Sequence, residues 1–409
     1  MKLKNLYKII FNVIVILFFI SLYFNKINKI IYGVNINYFH FENDYRLYYV
    51  KNNRLSFKRK ILYISRHEGT ISNFCYISEI LGFNITVFNP IYPYGEKPKC
   101  YYRNDKCQYF VKSICLEFEY IIISDIIPDS YIFLINKCDA KIILEITNRF
   151  DWSIPLKYRK NYYKTISEAQ KRNNIIFVEN NPFEVYYLCT KKIFIRNYYL
   201  IRPLGNPPNN KIEEKHKIFY DKIAIIDILN QGKILSSIIK NLNISYDVLG
   251  YKYGGPLILS SYKAIILLPY QVSIMKMMEN FRYGIPMIIP TERLLREILE
   301  KYKINYPWIK YALNIQNCSK YYIEFYNNEF KDLFVYFDNF IDLPDIIINT
   351  DFNSLRIKEK EFMKYYEKKI IKMWSEVLDI ISIKKNIISN KKPLCNKINF
   401  FEKLWIIRF

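Results

Sequence analysis

The chain has 409 residues, is 51% hydrophobic and carries a formal charge of +23. That length accommodates two domains with proper cores, and that apolar content excludes a disordered chain. The charge does not indicate a nucleic-acid partner, because lysine is dispersed along the chain whereas an electrostatic footprint is clustered.

The segment Leu6 to Phe24, LYKIIFNVIVILFFISLYF, approaches the ~20 apolar residues a helix needs to cross the hydrocarbon core. No small-residue cleavage site follows it, so residues 1–25 are expected to be a cytosolic tail and uncleaved signal anchor. Lys2 and Lys4 precede the segment, Lys8 sits at its edge, and Lys26 and Lys29 follow it. The bias places the N-terminus in the cytosol and the body in the lumen of the endoplasmic reticulum or Golgi, a single-pass type II arrangement. Residues 26–56 show no sustained period and are expected to be a stem. Six of the eight cysteines fall in the first half, where an oxidising compartment would allow pairing. Cys100 and Cys107 have neither zinc-like spacing nor a nearby histidine, so no metal is expected.

Short Ile/Val/Leu runs then alternate with segments of helical length. Strands are expected at 60–65, 83–89, 119–124, 140–147 and 174–179, and again at 222–227, 244–250, 263–269 and 286–290. Such a pattern predicts parallel sheets covered on both faces. The expected fold is α/β with two doubly wound, Rossmann-like domains, 57–197 and 198–350. They are joined through the Pro/Gly/Asn-rich stretch 195–211. A last long helix, about 355–381, lies within a C-terminal segment, 351–409, that either closes the second domain or crosses back to the first.

Ligands of open parallel sheets bind beyond the carboxyl ends of the strands. After KILYIS comes RHEGT, in which His67 is either a base or a loop residue, and Gly69 permits close backbone approach. After AKIILEI comes TNRFDWS, where Asn148, Arg149, Asp151 and Trp152 put an amide, a guanidinium, a carboxylate and an indole at one strand end. The alternative is that Asp151 caps a helix while Trp152 packs. After KAIILL comes PYQVSIMKMMENFRYGIP. Ser273 is the expected N-cap of a helix to about Tyr283, and Gly284 and Pro286 stop it. The N–H groups of Ile274, Met275 and Lys276 would then face a diphosphate above the sheet. Ile274, Met277, Met278 and Phe281 keep the i, i+3, i+4, i+7 spacing of a core-facing stripe, and Glu279 falls off it, toward solvent or a cleft.

The run from this strand through Glu279 to Gly284-Ile285-Pro286 resembles the donor half of GT-B glycosyltransferases of the group 1 kind. Those proteins carry an E-x7-E motif here; Gln271 and Glu279 keep its spacing with glutamine at the first position. The segments HEGT, TNRFDW, IRPLG and YGGP are similar to those of eukaryotic glycosyltransferase-like proteins of that fold. The resemblance implies a nucleotide-sugar donor, a glycan, protein or lipid acceptor, and no cofactor. It implies that Glu279 binds the ribose and that Tyr270, Gln271, Ser273, Ile274 and Met275 line the donor with Tyr253 and Gly254. Arg202, beside Gly205, would neutralise the diphosphate or form an interdomain salt bridge. It further implies catalysis by His67, Asn148 and Asp151, an acceptor site at Gly69, Thr70, Arg149 and Trp152, and retention at the anomeric carbon. No Asp-x-Asp occurs in the chain, which favours metal-independent transfer. A catalytically inactive lumenal binding protein of the same fold is the alternative.

Overall fold

A computed structural model describes residues 35–41, 45–51, 57–90, 105–195, 198–205, 220–250, 252–315 and 319–379. The expected membrane span, Cys100, and residues 196–197 and 206–211 of the connection lie outside them. Among the described residues no helix is long and apolar enough to cross a membrane.

The first sheet takes its strands in chain order as β1 (Asn35–Phe41), β2 (Tyr45–Lys51), β3 (Phe57–Ile64), β4 (Phe83–Pro90), β5 (Tyr120–Ser124), β6 (Lys141–Ile146), β7 (Ile175–Glu179) and β8 (Tyr198–Leu200). Between them run α1 (Glu68–Leu81), α2 (Asp105–Glu117), α3 (Tyr131–Ile135), α4 (Leu156–Ala169) and α5 (Pro182–Thr190). Spatially the order is β1-β2-β4-β3-β5-β6-β7-β8, parallel from β4 onward. The isoleucine runs make this possible: Ile121, Ile122 and Ile123 of β5 are wholly buried, one face under each helical layer. Each such side chain contributes roughly 1.5–3 kcal/mol by leaving water. Cys115 of α2 is disulfide-bonded to Cys138 beyond α3. The Cys75 thiol on α1 is pushed up to about 12 by burial, which leaves it unreactive.

Two departures from the sequence expectation concern the sheet edges. Part of the expected stem forms β1 and β2, an antiparallel hairpin that pairs with β4. At the other edge β8 extends the first sheet to Leu200, past the boundary expected at residue 197.

The second domain follows with β9 (Tyr220–Ile226), α6 (Gln231–Ile239), β10 (Tyr246–Leu249), α7 (Pro256–Ser260), β11 (Tyr262–Ile266), α8 (Met275–Tyr283), β12 (Met287–Pro290), α9 (Glu292–Lys301), α10 (Pro307–Leu313), α11 (Ser319–Tyr322) and β13 (Phe334–Phe337). Its order, β10-β9-β11-β12-β13, is parallel throughout. α12 (Leu343–Asn349) and α13 (Phe352–Val377) complete the described chain. Asp351 caps α13 by accepting from the Asn353 and Ser354 N–H groups. That helix crosses back: its Glu367 accepts from Tyr76 of α1 at 2.9 Å and pairs with Arg282 of α8 at 2.9 Å. Both sheets reverse their winding beside their first parallel strand, at β3/β5 and at β9/β11, where doubly wound sheets open a crevice.

Candidate functional site

At the β3/β5 crevice, His67 is the N-cap of α1, its Nδ1 accepting the Thr70 N–H at 3.3 Å. Nδ1 is therefore an acceptor and the neutral ring carries its proton on Nε2. A base acting through Nε2 requires the other tautomer, so in this arrangement the exposed edge of His67 offers a donor. Asp125, the residue after β5, takes a positive φ of 63°. Burial raises its carboxyl, with His67 opposing and Asp129 adding to the effect. Asp129 itself is held by Arg66 at 2.6 and 2.9 Å. Thr70 is buried, its hydroxyl 2.7 Å from Ser65 Oγ.

Gly69 brings the two domains together. A Cβ there would lie 2.7 Å from His67 Cε1 and 2.9 Å from Met275 Sδ, so the first turn of α1 abuts the first residue of α8. α8 begins one residue later than its sequence suggests, with Ile274 as an N-cap that makes no side-chain cap. Ser273 is occupied elsewhere: its hydroxyl bonds the Glu324 carboxylate, and the Glu324 N–H donates to Val272 O at 2.9 Å. This leaves the first N–H groups of α8 for a ligand. Ile274, Met277, Met278 and Phe281 are buried as the spacing predicts, and Gly284 ends the helix at φ 63°.

Glu279 is buried and paired with Lys276 one turn earlier. Over it lies Gly205 at φ 73°, where a Cβ would come within 2.7 Å of both the Cα and the N of Glu279. Tyr253 meets the same turn from above, with Lys276 Nζ 5.3 Å from its ring centre. Gly254 follows at φ 95°. His67, Gly69, Gly205, Tyr253, Met275 and Glu279 thus form one connected rim around the start of α8, and Lys276 supplies its cation. The Lys276 side chain carries no motif; its i, i+3 spacing to Glu279 was the available signal. Tyr270 turns instead toward Tyr306, ring centres 6.3 Å apart, and Gln271 is half-buried on the same loop.

Arg202 does not reach this rim as a free cation. Its buried guanidinium is bound to Glu324 and, at 3.0 Å, to Glu329. Burial pushes the Glu324 carboxyl up against the pull of Arg202, and two carboxylates already match the guanidinium's donors. It is a salt bridge tying the interdomain connection to the second domain. The Thr147 to Ser153 loop is likewise committed to structure. Arg149 is bonded to Glu184 through two nitrogens and lies 5.1 Å from the Phe183 ring centre and 5.0 Å from that of Trp308. Asp151 accepts from Tyr163 and from Tyr187, the latter at 3.0 Å. Asn148 accepts the Arg149 N–H at 2.9 Å, and Trp152 stands 43% exposed. From this loop Arg149 meets the second domain, through Trp308 of α10.

No family model and no curated protein matches the chain. Among solved structures it is similar to the spinosyn forosaminyltransferase SpnP, at 8% identity and TM-score 0.41 over 79% of this chain and 99% of that one. It is also similar to the glycosyltransferase SnogD from Streptomyces nogalater, at 8% identity and TM-score 0.37 over 78% of this chain and 99% of that one.

Proposed function

We propose that this chain is a GT-B glycosyltransferase that moves a sugar from a nucleotide-sugar donor to an acceptor in the crevice between its two sheets. The observation that carries the reading is the meeting of Gly69 and Met275, which sets the start of α8 and Glu279 at the interdomain crevice. In this reading Glu279 accepts from the ribose hydroxyls, and the α8 N–H groups with Lys276 hold the diphosphate, stabilising the departing charge. Transfer is metal-independent and retaining by the resemblance of the Glu279 to Pro286 segment. The protein is a type II membrane protein anchored by its N-terminal segment, with its body in the secretory lumen. The bonded Cys115 and Cys138 support an oxidising compartment. A panel of nucleotide sugars tested by thermal shift, with Glu279→Ala as control, examines the donor site. We expect one nucleotide class to stabilise the wild type and not the variant. Unchanged shifts in the variant would remove Glu279 from the site.

A second reading, a lumenal binding protein without catalysis, is favoured by one specific arrangement. Arg149 and Asp151 are engaged by protein partners and His67 presents a donor. Nucleotide binding without sugar turnover, including hydrolysis, would select it.

A further inference from the structure

We propose that Glu145 is a proton-controlled positioning residue, which through Tyr63 holds or releases the first turn of α1 where it abuts α8. Its functional consequence rests on the crevice reading above; the switch itself does not.

Glu145 of β6 is register partner of Ser124 on β5, and Tyr63 of β3 is register partner of Ile122, so all three side chains lie on the α1 face of the sheet. Tyr63 Oη stands 2.7 Å from Glu145 Oε2 and 3.1 Å from the Thr70 carbonyl oxygen. A phenol has one proton, and a carbonyl only accepts. Both contacts are hydrogen bonds only when Glu145 is a neutral acid, donating to Tyr63 while Tyr63 donates to Thr70. When Glu145 ionises, the phenol proton turns to the carboxylate and two bare oxygens, of Tyr63 and Thr70, are left 3.1 Å apart. The Tyr63 ring cannot swing away to relieve this. It stacks on Phe74 at 4.5 Å and 7°, and Phe74 is held edge-on by Trp374 at 5.0 Å. The backbone of Thr70 must therefore respond, one residue from the Gly69 contact with Met275.

The switching range follows from the surroundings. Burial pushes the Glu145 carboxyl up to about 7, against the hydrogen bond of Tyr63 and the influence of the nearby Ser124 hydroxyl. The carboxyl meets the Tyr63 phenol from β3 and the Ser124 hydroxyl from β5; its register partner on β7 is Val178, and α1 contributes Thr70 and Phe74 around the phenol. Asp125, Asp129, Arg66 and His67 at the same strand ends act on one another. A carboxyl titrating at about 7 is roughly one-tenth ionised at pH 6 and roughly nine-tenths at pH 8.

Hydrogen exchange of the full chain at pH 6 and pH 8, corrected for the intrinsic pH dependence, reads the first turn of α1 directly. The Thr70 and Ile71 amides, which both donate to His67 O, are the reporters. Wild-type protection is expected to fall about fivefold from pH 6 to pH 8, the loss of one neutral hydrogen bond. Glu145→Gln, whose amide always donates to Tyr63, is expected to keep high protection at both values, and Tyr63→Phe low protection at both. Equal wild-type protection at the two pH values, or a Glu145→Gln variant that falls as the wild type does, would overturn the proposal. Thermal shifts with nucleotide sugars on the same samples separate the two readings. A switch without any nucleotide shift upholds Glu145 and removes the crevice function.

Discussion

Lys276 and Glu279 occupy neighbouring positions on one helical turn, and each has a different partner to offer a nucleotide. In the proposed donor site the carboxylate would accept from sugar hydroxyls and the ammonium would meet phosphate, while their ion pair restrains the carboxylate. Lys276→Met is therefore expected to weaken a nucleoside diphosphate about ten- to a hundredfold, in line with a charge-assisted hydrogen bond of ~1.5–3 kcal/mol, while a nucleoside keeps its affinity. Titration calorimetry of the two ligands checks this; equal losses for both would place Lys276 outside the phosphate site. Glu359 of α13 poses a different residue-scale problem, because both its oxygens are buried without a hydrogen-bond partner. Burial raises its carboxyl well above 4.5, with Arg356 and Lys360 opposing. A raised folded-state value means that the neutral form's contribution is complete below the unfolded value and is lost as pH rises through the folded one. Glu359→Met, apolar and untitratable, is expected to stabilise the protein by ~1–3 kcal/mol and by more at pH 8 than at pH 5. Melting temperatures at the two pH values test the sign: a gap that narrows with rising pH would contradict it.

At the scale of elements, two glycines fix where α8 lies. Gly205 has a positive φ and no room for a Cβ against the backbone of Glu279, so Gly205→Ala combines backbone strain with a displacement of α8. The expected cost is more than ~1 kcal/mol, with nucleotide-induced thermal shifts lost as well. Gly284→Ala meets the same strain at φ 63°, but its nearest obstacle is the flexible end of Lys360 at 2.8 Å. It should cost about 1 kcal/mol and leave those shifts intact. Identical behaviour of the two variants in the thermal-shift assay would argue against Gly205 as part of the site wall. The helix itself was legible: its stripe, its glycine stop and its two flanking strands all follow from local chemistry. So were the buried parallel strands, whose unbroken isoleucine runs have no other low-energy fate. β1 and β2 were not, because strands rich in Asn, Tyr and Arg carry no continuous apolar signal and depend on β2 pairing with β4 and β1 with β2. β13, four residues long, depends likewise on its neighbour β12. Site residues were least legible where their partners are remote. Arg202 is bound by Glu324, 122 positions away, and Arg149 by Glu184, 35 away. Neither pairing leaves a trace in local spacing, so in the sequence Arg202 passes for a diphosphate ligand and Arg149 for an acceptor contact.

For the whole molecule, the arrangement of the two sheets depends on α13, because that helix is packed on both. Its middle joins α8 through Arg282 and Glu367, while Tyr76 of α1 donates to the same carboxylate and lies under the Arg282 guanidinium at 4.9 Å. Its end reaches the opposite rim of the first sheet, where Tyr120 Oη meets Leu378 O at 3.0 Å and Lys141 pairs with Asp379. Between these polar ties stands Trp374, 1% exposed, its ring against Phe74. The Lys141–Asp379 tie is exposed and contributes little, whereas the buried Trp374 contact carries a large share of the linkage. Trp374→Ala should cost ~3–5 kcal/mol through the lost side chain and the cavity it leaves. Because the loss falls at the contact between α13 and the first domain, it should also uncouple the two domains rather than weaken both equally. Calorimetry is then expected to show one unfolding transition for the wild type and two for the variant, with nucleotide moving only the transition of the second domain. Tyr365→Ala, at a 68% exposed position of the same helix, should retain the single transition. A Trp374→Ala variant that unfolds in one cooperative step at lower temperature would mean that the α10 contact of Arg149 with Trp308, rather than α13, keeps the two sheets facing each other.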